Sequence, residues 1–188
     1  MNFALEEVLL PMQRLQQQHD EIAHRDILSF ELHKRLKHMV LHFYKYAGKI
    51  QAAGEAQDKQ ELRRILVDTF IICLATANSL NVSLGEVLSG VVEAPTLDSV
   101  AHASAKQLKP TDLFASSVRD LVLIGGQMAK AVESADHMEP GDPRSDMARL
   151  VPELTRSVLA HLGHLDGGLE DSVRARLAAV ERKSIFRR

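Results

Sequence analysis

Apolar residues recur at steps of three and four along most of this chain, the spacing that puts them on one face of an α-helix. Residues 3–23 carry Leu5, Val8, Leu9, Met12 and Leu15 in this pattern, with Pro11 inside it. A proline there is expected to start or kink the helix. In residues 27–52, Leu32, Leu36, Met39, Val40, Phe43, Ala47 and Ile50 fall on one side. Lys34, His38, His42, Lys45 and Lys49 fall on the other, and no acid occurs from His33 to Lys49. A short connection at 54–58 leads to a third helix, about Asp58 to Leu80, so the two helices read as an αα-hairpin. Ser83-Leu84-Gly85-Glu86 fits a capping box opening a short helix to about Val91. Residues 92–110 read as a linker. Helical spacing returns over 111–136, and a loop with Pro140, Gly141 and Pro143 spans 137–145. A helix is predicted over 146–165, with Pro152 delaying its regular part to about Arg149. A last amphipathic helix is predicted over 169–184, ahead of the basic pair Arg187-Arg188.

The second half of this pattern echoes the first. At an offset of 85, Asp68 falls on Glu153, Leu74 on Leu159, Leu80 on Leu165 and Leu84 on Leu169. Upstream, Ala47 falls on Ala129 and Ile50 on Val132, an offset of 82. The difference of three lies in a loop, where insertions are tolerated. Two helical hairpins in tandem are therefore expected, repeat one over about 27–91 and repeat two over about 111–184. One hairpin cannot bury its apolar face alone, but two packed together make a four-helix core.

Composition narrows the class. At 188 residues the chain suits one all-α domain with its own core. A formal net charge of −2 supplies no general field for nucleic acid or a membrane surface, so neither is expected as a partner. Cys73 is the single cysteine, which excludes an internal disulfide. Met1 to Leu10 has two acids and no basic start, so no signal peptide is expected, and the chain reads as cytoplasmic. His19 and His24 have no partner at metal-ligand spacing and are expected at the surface. The same expectation holds for His161 and His164, which lack surrounding acids.

The run from Ile65 to Leu80 is almost wholly apolar and carries one acid, Asp68. A helix apolar on all sides is a buried one, and a carboxylate inside it needs a partner. The segment from Asp68 to Leu84, an apolar run followed by Ala77-Asn78-Ser79-Leu80 and Asn81-Val82-Ser83-Leu84, resembles the second helix of MazG-like, all-α nucleoside triphosphate pyrophosphohydrolases. Gly126-Gln127-Met128-Ala129-Lys130-Ala131-Val132-Glu133 resembles the family's first helix, and Val180-Glu181-Arg182-Lys183 its C-terminal helix. The resemblance implies a helical bundle in the tandem arrangement of dimeric dUTPase-like members, with a homodimer as a possible assembly. It also implies cleavage of a nucleoside triphosphate between its α and β phosphates, using Mg²⁺ held by E-E-x-x-E on one helix and E-x-x-D on the next. The acids are mostly missing here. The first motif falls on Leu41, His42 and Lys45, and in the second half on Leu123, Ile124 and Gln127. The second motif falls on Ile65 and Asp68, then on Leu150 and Glu153.

Three readings of this altered site stand side by side. An ammonium replaces the metal, so that Asp68, a candidate catalytic residue by position, pairs with Lys45 or His42. Alternatively, His38 and His42 join Asp68 and Glu61 in a rebuilt site for Mg²⁺, Mn²⁺ or another divalent transition metal. Or Lys34, His38, His42 and Lys45 bind a nucleotide or other phosphate directly, with no cofactor. The losses favour a catalytically degenerate nucleotide-binding or scaffold protein over an active pyrophosphohydrolase with an atypical His/Asp metal site.

Overall fold

The computed structural model describes residues 3–88 and 95–187. Among the described residues the chain is all-helical, without strands. The elements are α1 (Phe3–Ala23), α2 (Arg25–Leu28), α3 (Leu32–Glu55), α4 (Lys59–Leu80), α5 (Leu84–Val87), α6 (Leu97–Ala105), α7 (Leu113–Asp136), α8 (Pro143–Leu162) and α9 (Leu169–Glu181), closed by a 3₁₀ turn at Ile185–Arg187. No helix among the described residues is long and apolar enough to cross a membrane.

The helix ends follow from local chemistry. The Glu31 carboxylate accepts from the His33 and Lys34 amides at the start of α3. Asp58, Asp112 and Asp142 cap α4, α7 and α8 by accepting from the amide three residues on. At the other end of α4, Asn81 is left-handed (φ 56°), and Val82 N–H reaches back to Ala77 C=O at 2.9 Å. This closes the free carbonyls of the last turn. Ser83 caps α5 by accepting from the Glu86 amide. Helix α9 has no side-chain cap of its own. Its first amide, on Leu169, is instead taken by the Asp98 carboxylate of α6.

The core is four helices. α3 packs on α4 and on α7, and α8 packs on α7 and on α4. This arrangement is compatible with two hairpins in tandem. α1 lies across α4 and α5, α6 lies on α8, and α9 touches α1, α4 and α6. Covered from so many directions, α4 buries fourteen of its residues, Ile65 to Ile71 without a break.

Several local expectations change. α1 runs through Pro11 instead of starting there. The stretch 92–110 is not a plain linker, because residues 97–105 form α6, opened by a Thr96–Ser99 capping box. α8 starts at Pro143, not near Arg149: Pro143 occupies the first turn, where its missing N–H costs nothing, and the helix continues through Pro152. The last helix ends at Glu181. The part of the first short helix expected over 89–91 lies outside the described residues. His19 and His161 are buried, at 3% and 1% exposure, whereas His164 is exposed. Each buried imidazole has polar partners: Glu181 for His19, and the Ser157 carbonyl and Ser116 hydroxyl for His161.

Candidate functional site

Asp68 sits in the middle of α4 and is 6% exposed. Ile65 and Ile72 flank it on its own face, so the backbone alone would leave the carboxylate in an apolar setting. Its partners come from α9 and from the preceding turn. Arg176 donates through Nε to Oδ1 at 2.5 Å and through Nη2 to Oδ2 at 3.1 Å. This is the two-pronged arginine–carboxylate geometry, stronger than a single bond. Arg64, four residues back on α4, adds a longer contact to Oδ2 at 3.4 Å. Neither Lys45 nor His42 is the ion-pair partner that the sequence suggested. Lys45 still feels Asp68 at longer range: burial and Lys49 lower its pKa, and Asp68 partly opposes them.

Glu61 does not join Asp68 at a shared ligand position. Its carboxylate is held by Arg64 through Nε at 2.6 Å and through Nη2. That hydrogen-bonded pairing lowers the Glu61 pKa. Both acids of α4 therefore face guanidinium groups, not His38 and His42.

Two of the three histidines of α3 form a separate chain, the third, His33, being paired with Asp136. His38 and His42, one turn apart, have their Nε2 atoms 3.1 Å apart and their rings edge to face. Lys45 Nζ lies 3.0 Å from His42 Nδ1. An ammonium only donates, so Nδ1 of His42 is the acceptor. The His42 proton then sits on Nε2 and points at His38 Nε2. Burial first, and Lys45 second, push the His42 pKa down to about 4. His38 is lowered too, again mainly by burial. Lys34 stands apart. Its ammonium lies over the Phe30 ring, 4.0 Å from the centroid, eleven residues and about 16 Å along the helix from Lys45. Of the four expected ligand-binding residues, three meet and one does not.

Next to the Asp68 pair lies a cleft of 580 Å³ between the first turns of α4 and α9. Arg63, Arg64 and Arg176 line it, with Glu61, Asp166 and Ser172. Arg63 donates to the Ser172 hydroxyl at 2.8 Å and to the Gly168 carbonyl at 3.0 Å, which pins the turn before α9 to α4. Gly167 (φ 115°) lets that turn pass the guanidinium, since a Cβ there would lie 3.1 Å from Arg63 atoms and in a backbone region suited to glycine.

Arg176 is the residue that sequence reasoning missed. It lies beside the α9 stripe of Val173, Leu177 and Val180, next to buried Val173 and Leu177. An arginine at the margin of an apolar stripe is the trace it leaves in sequence. Its partner, 108 positions away, leaves none. No family model, curated protein or solved structure matches this chain.

Proposed function

We propose that the chain is a MazG-like helical protein that binds a phosphate-bearing ligand, a nucleotide among them, without hydrolysing it. The observation that carries this reading is the engagement of both acids of α4, Asp68 by Arg176 and Arg64, and Glu61 by Arg64. A magnesium-dependent pyrophosphohydrolase needs such carboxylates free to ligate. With them neutralised, the nearby cations of α3 are left over: Lys45 acts electrostatically on Asp68 and Arg176, and Lys49 on Glu61. Such cations suit a phosphate group directly, without a metal between.

The test is binding and turnover in one series. Titration calorimetry with nucleoside triphosphates and inorganic pyrophosphate is expected to give saturable binding that weakens in the Lys45→Gln/Lys49→Gln double variant. The same nucleotides incubated with Mg²⁺ or Mn²⁺ are expected to release no pyrophosphate. Release at about 1 s⁻¹ or faster, the range of working enzymes, would establish the active alternative with its atypical His/Asp metal site. Unchanged affinity in the double variant would remove the phosphate reading and leave the scaffold role.

A further inference from the structure

A second cluster of imidazoles lies at the break between α1 and α2, near enough to the first for His24 to act electrostatically on His38 and His42. On an unbroken helix, residues five apart point about 140° away from each other. His19 and His24 have that spacing, yet their rings meet edge to face with centroids 5.3 Å apart. The break is the cause. His24 leaves the helical region (φ −135°, ψ 41°) after its N–H closes the last turn of α1 on the Asp20 carbonyl at 2.9 Å. Asp20, four residues before His24, is on the matching face. One donor atom from each of His19, Asp20 and His24 lies within 4.8 Å of the others.

We infer that His19, Asp20 and His24 form a binding site for a divalent transition-metal ion, of which Zn²⁺ is the best fit. Two imidazoles and one carboxylate are a donor set suited to Zn²⁺ and its neighbours, and three protein ligands leave a position for water. Mg²⁺, which prefers oxygen donors, is a poor match. Glu181 supplies the second observation. His19 Nδ1 lies 3.0 Å from Glu181 Oε1, and a carboxylate accepts, so Nδ1 carries the proton. In the neutral ring the lone pair is then on Nε2. A histidine held through its other nitrogen by a carboxylate is the usual support of a metal-ligating imidazole. His19 is buried, Asp20 and His24 are half-buried, and the Asp20 carboxylate is hydrogen-bonded to Gln16, a bond it gives up or shares on closing round an ion. The closing is needed because ligands on a tetrahedral Zn²⁺ lie about 3.3 Å apart. Arg35 opposes the ion, since it acts on Asp20 electrostatically. Its guanidinium is held in the turn before α3 by the Leu28 and Phe30 carbonyls at 3.2 and 3.1 Å. Asp20 and Glu181 together offset it.

The site is independent of the phosphate reading, and its test uses the untagged full chain with metal alone. Titration with Zn²⁺, and with Co²⁺ followed by its visible absorption, is expected to show one saturable equivalent with Kd below about 10 µM. Millimolar Mg²⁺ is expected not to compete. His24→Gln and Asp20→Asn should each weaken binding at least tenfold, and Glu181→Gln about 10–100-fold through the orientation of His19. The His38→Gln/His42→Gln double variant should leave this equivalent in place. Long-range ¹H–¹⁵N spectra of the unaltered chain should show Zn²⁺ moving His19 Nε2 and a His24 ring nitrogen, a readout that survives a variant's failure to fold. No saturable site, an unmoved His19 Nε2, or loss of the equivalent in the His38/His42 variant with retention in His24→Gln would each overturn the inference.

Discussion

The α3–α4 and α7–α8 pairs each carry an acid on their second helix, Asp68 on α4 and Glu153 on α8, and treat it in opposite ways. Asp68 is 6% exposed and held by two prongs of Arg176. The Glu153 side chain is 48% exposed and, among the described residues, has only Arg149 as an ion-pair partner, 3.9 Å away on its own helix. The upstream helices differ in the same sense. His42 on α3 is half-buried with Lys45 on its ring, while Ile124, 82 residues later on α7, is an ordinary core side chain. What separates the hairpins is their cover. α9 lies against α4 and brings an arginine; α6 lies against α8 and brings none to Glu153. Two acids on core helices acquire different surroundings when different neighbours close over them.

The covers themselves are the place to break the comparison most severely. Gly163, at the end of α8, lets α6 approach so closely that a Cβ would lie 2.2 Å from the Ala101 carbonyl oxygen. Gly85, after α4, does the same for α1, with a Cβ 2.4 Å from the Glu6 Cα. Backbone cannot step aside as a side chain can. Gly163→Ala and Gly85→Ala are each expected to cost about 3 kcal/mol or more, read as a lower denaturation midpoint in urea. Gly48→Ala, which meets nothing within 4 Å and lies inside α3, is expected to be neutral or slightly stabilising.

A smaller effect separates the two acids. Arg176→Ala leaves a buried carboxylate with only the longer Arg64 contact, and the expected cost is about 2–3 kcal/mol in urea unfolding. That lies at the low end for a broken buried pair because the Arg176 side chain is itself 39% exposed. Glu153→Ala is expected to stay within about 0.5 kcal/mol. Equal costs for the two variants would mean that the α9 cover is not what distinguishes the hairpins.

The smallest effect concerns pH. The folded state depresses the His42 pKa from 6.5 to about 4, so between those values the unfolded chain binds the extra proton. The stabilising contribution of neutral His42 is present above about 6.5 and is lost as pH falls toward 4. The expected loss is on the order of 1–2 kcal/mol, seen as a falling urea midpoint. His42→Leu, which resembles the second hairpin at Ile124, should flatten that part of the profile. A His42 ring proton that titrates near 6.5 by NMR would remove the basis for this difference.

Much of the architecture was legible before any coordinate. Leu36, Phe43 and Ile50 mark the buried side of α3, and Leu74, Leu80 and Leu159 mark that of α4 and α8. Asp58, Asn81 and Ser83 announce their own caps. The loop prolines misled for a physical reason. Pro143 is as compatible with a first helical turn as with a loop, and the small residues of 97–105 form a helix because α8 gives them a surface to pack on. The site was legible only in part. Asp68 as a buried acid follows from its apolar flanks, and the His38–His42–Lys45 chain follows from helical spacing. Arg176 as the partner, and the burial of His19 and His161, do not.

The sequence by itself determined what depends on neighbours within a turn or two: most of the helices, several of their caps, and their apolar faces. Tertiary structure alone decided which charge answers Asp68, which helix covers each hairpin, and that His19 meets both His24 and Glu181. The reason is range. Helical hydrogen bonds and periodicity operate over three or four residues and are written into local order. An ion pair spanning 108 residues is set by how α9 returns across the bundle, and no local pattern encodes that path.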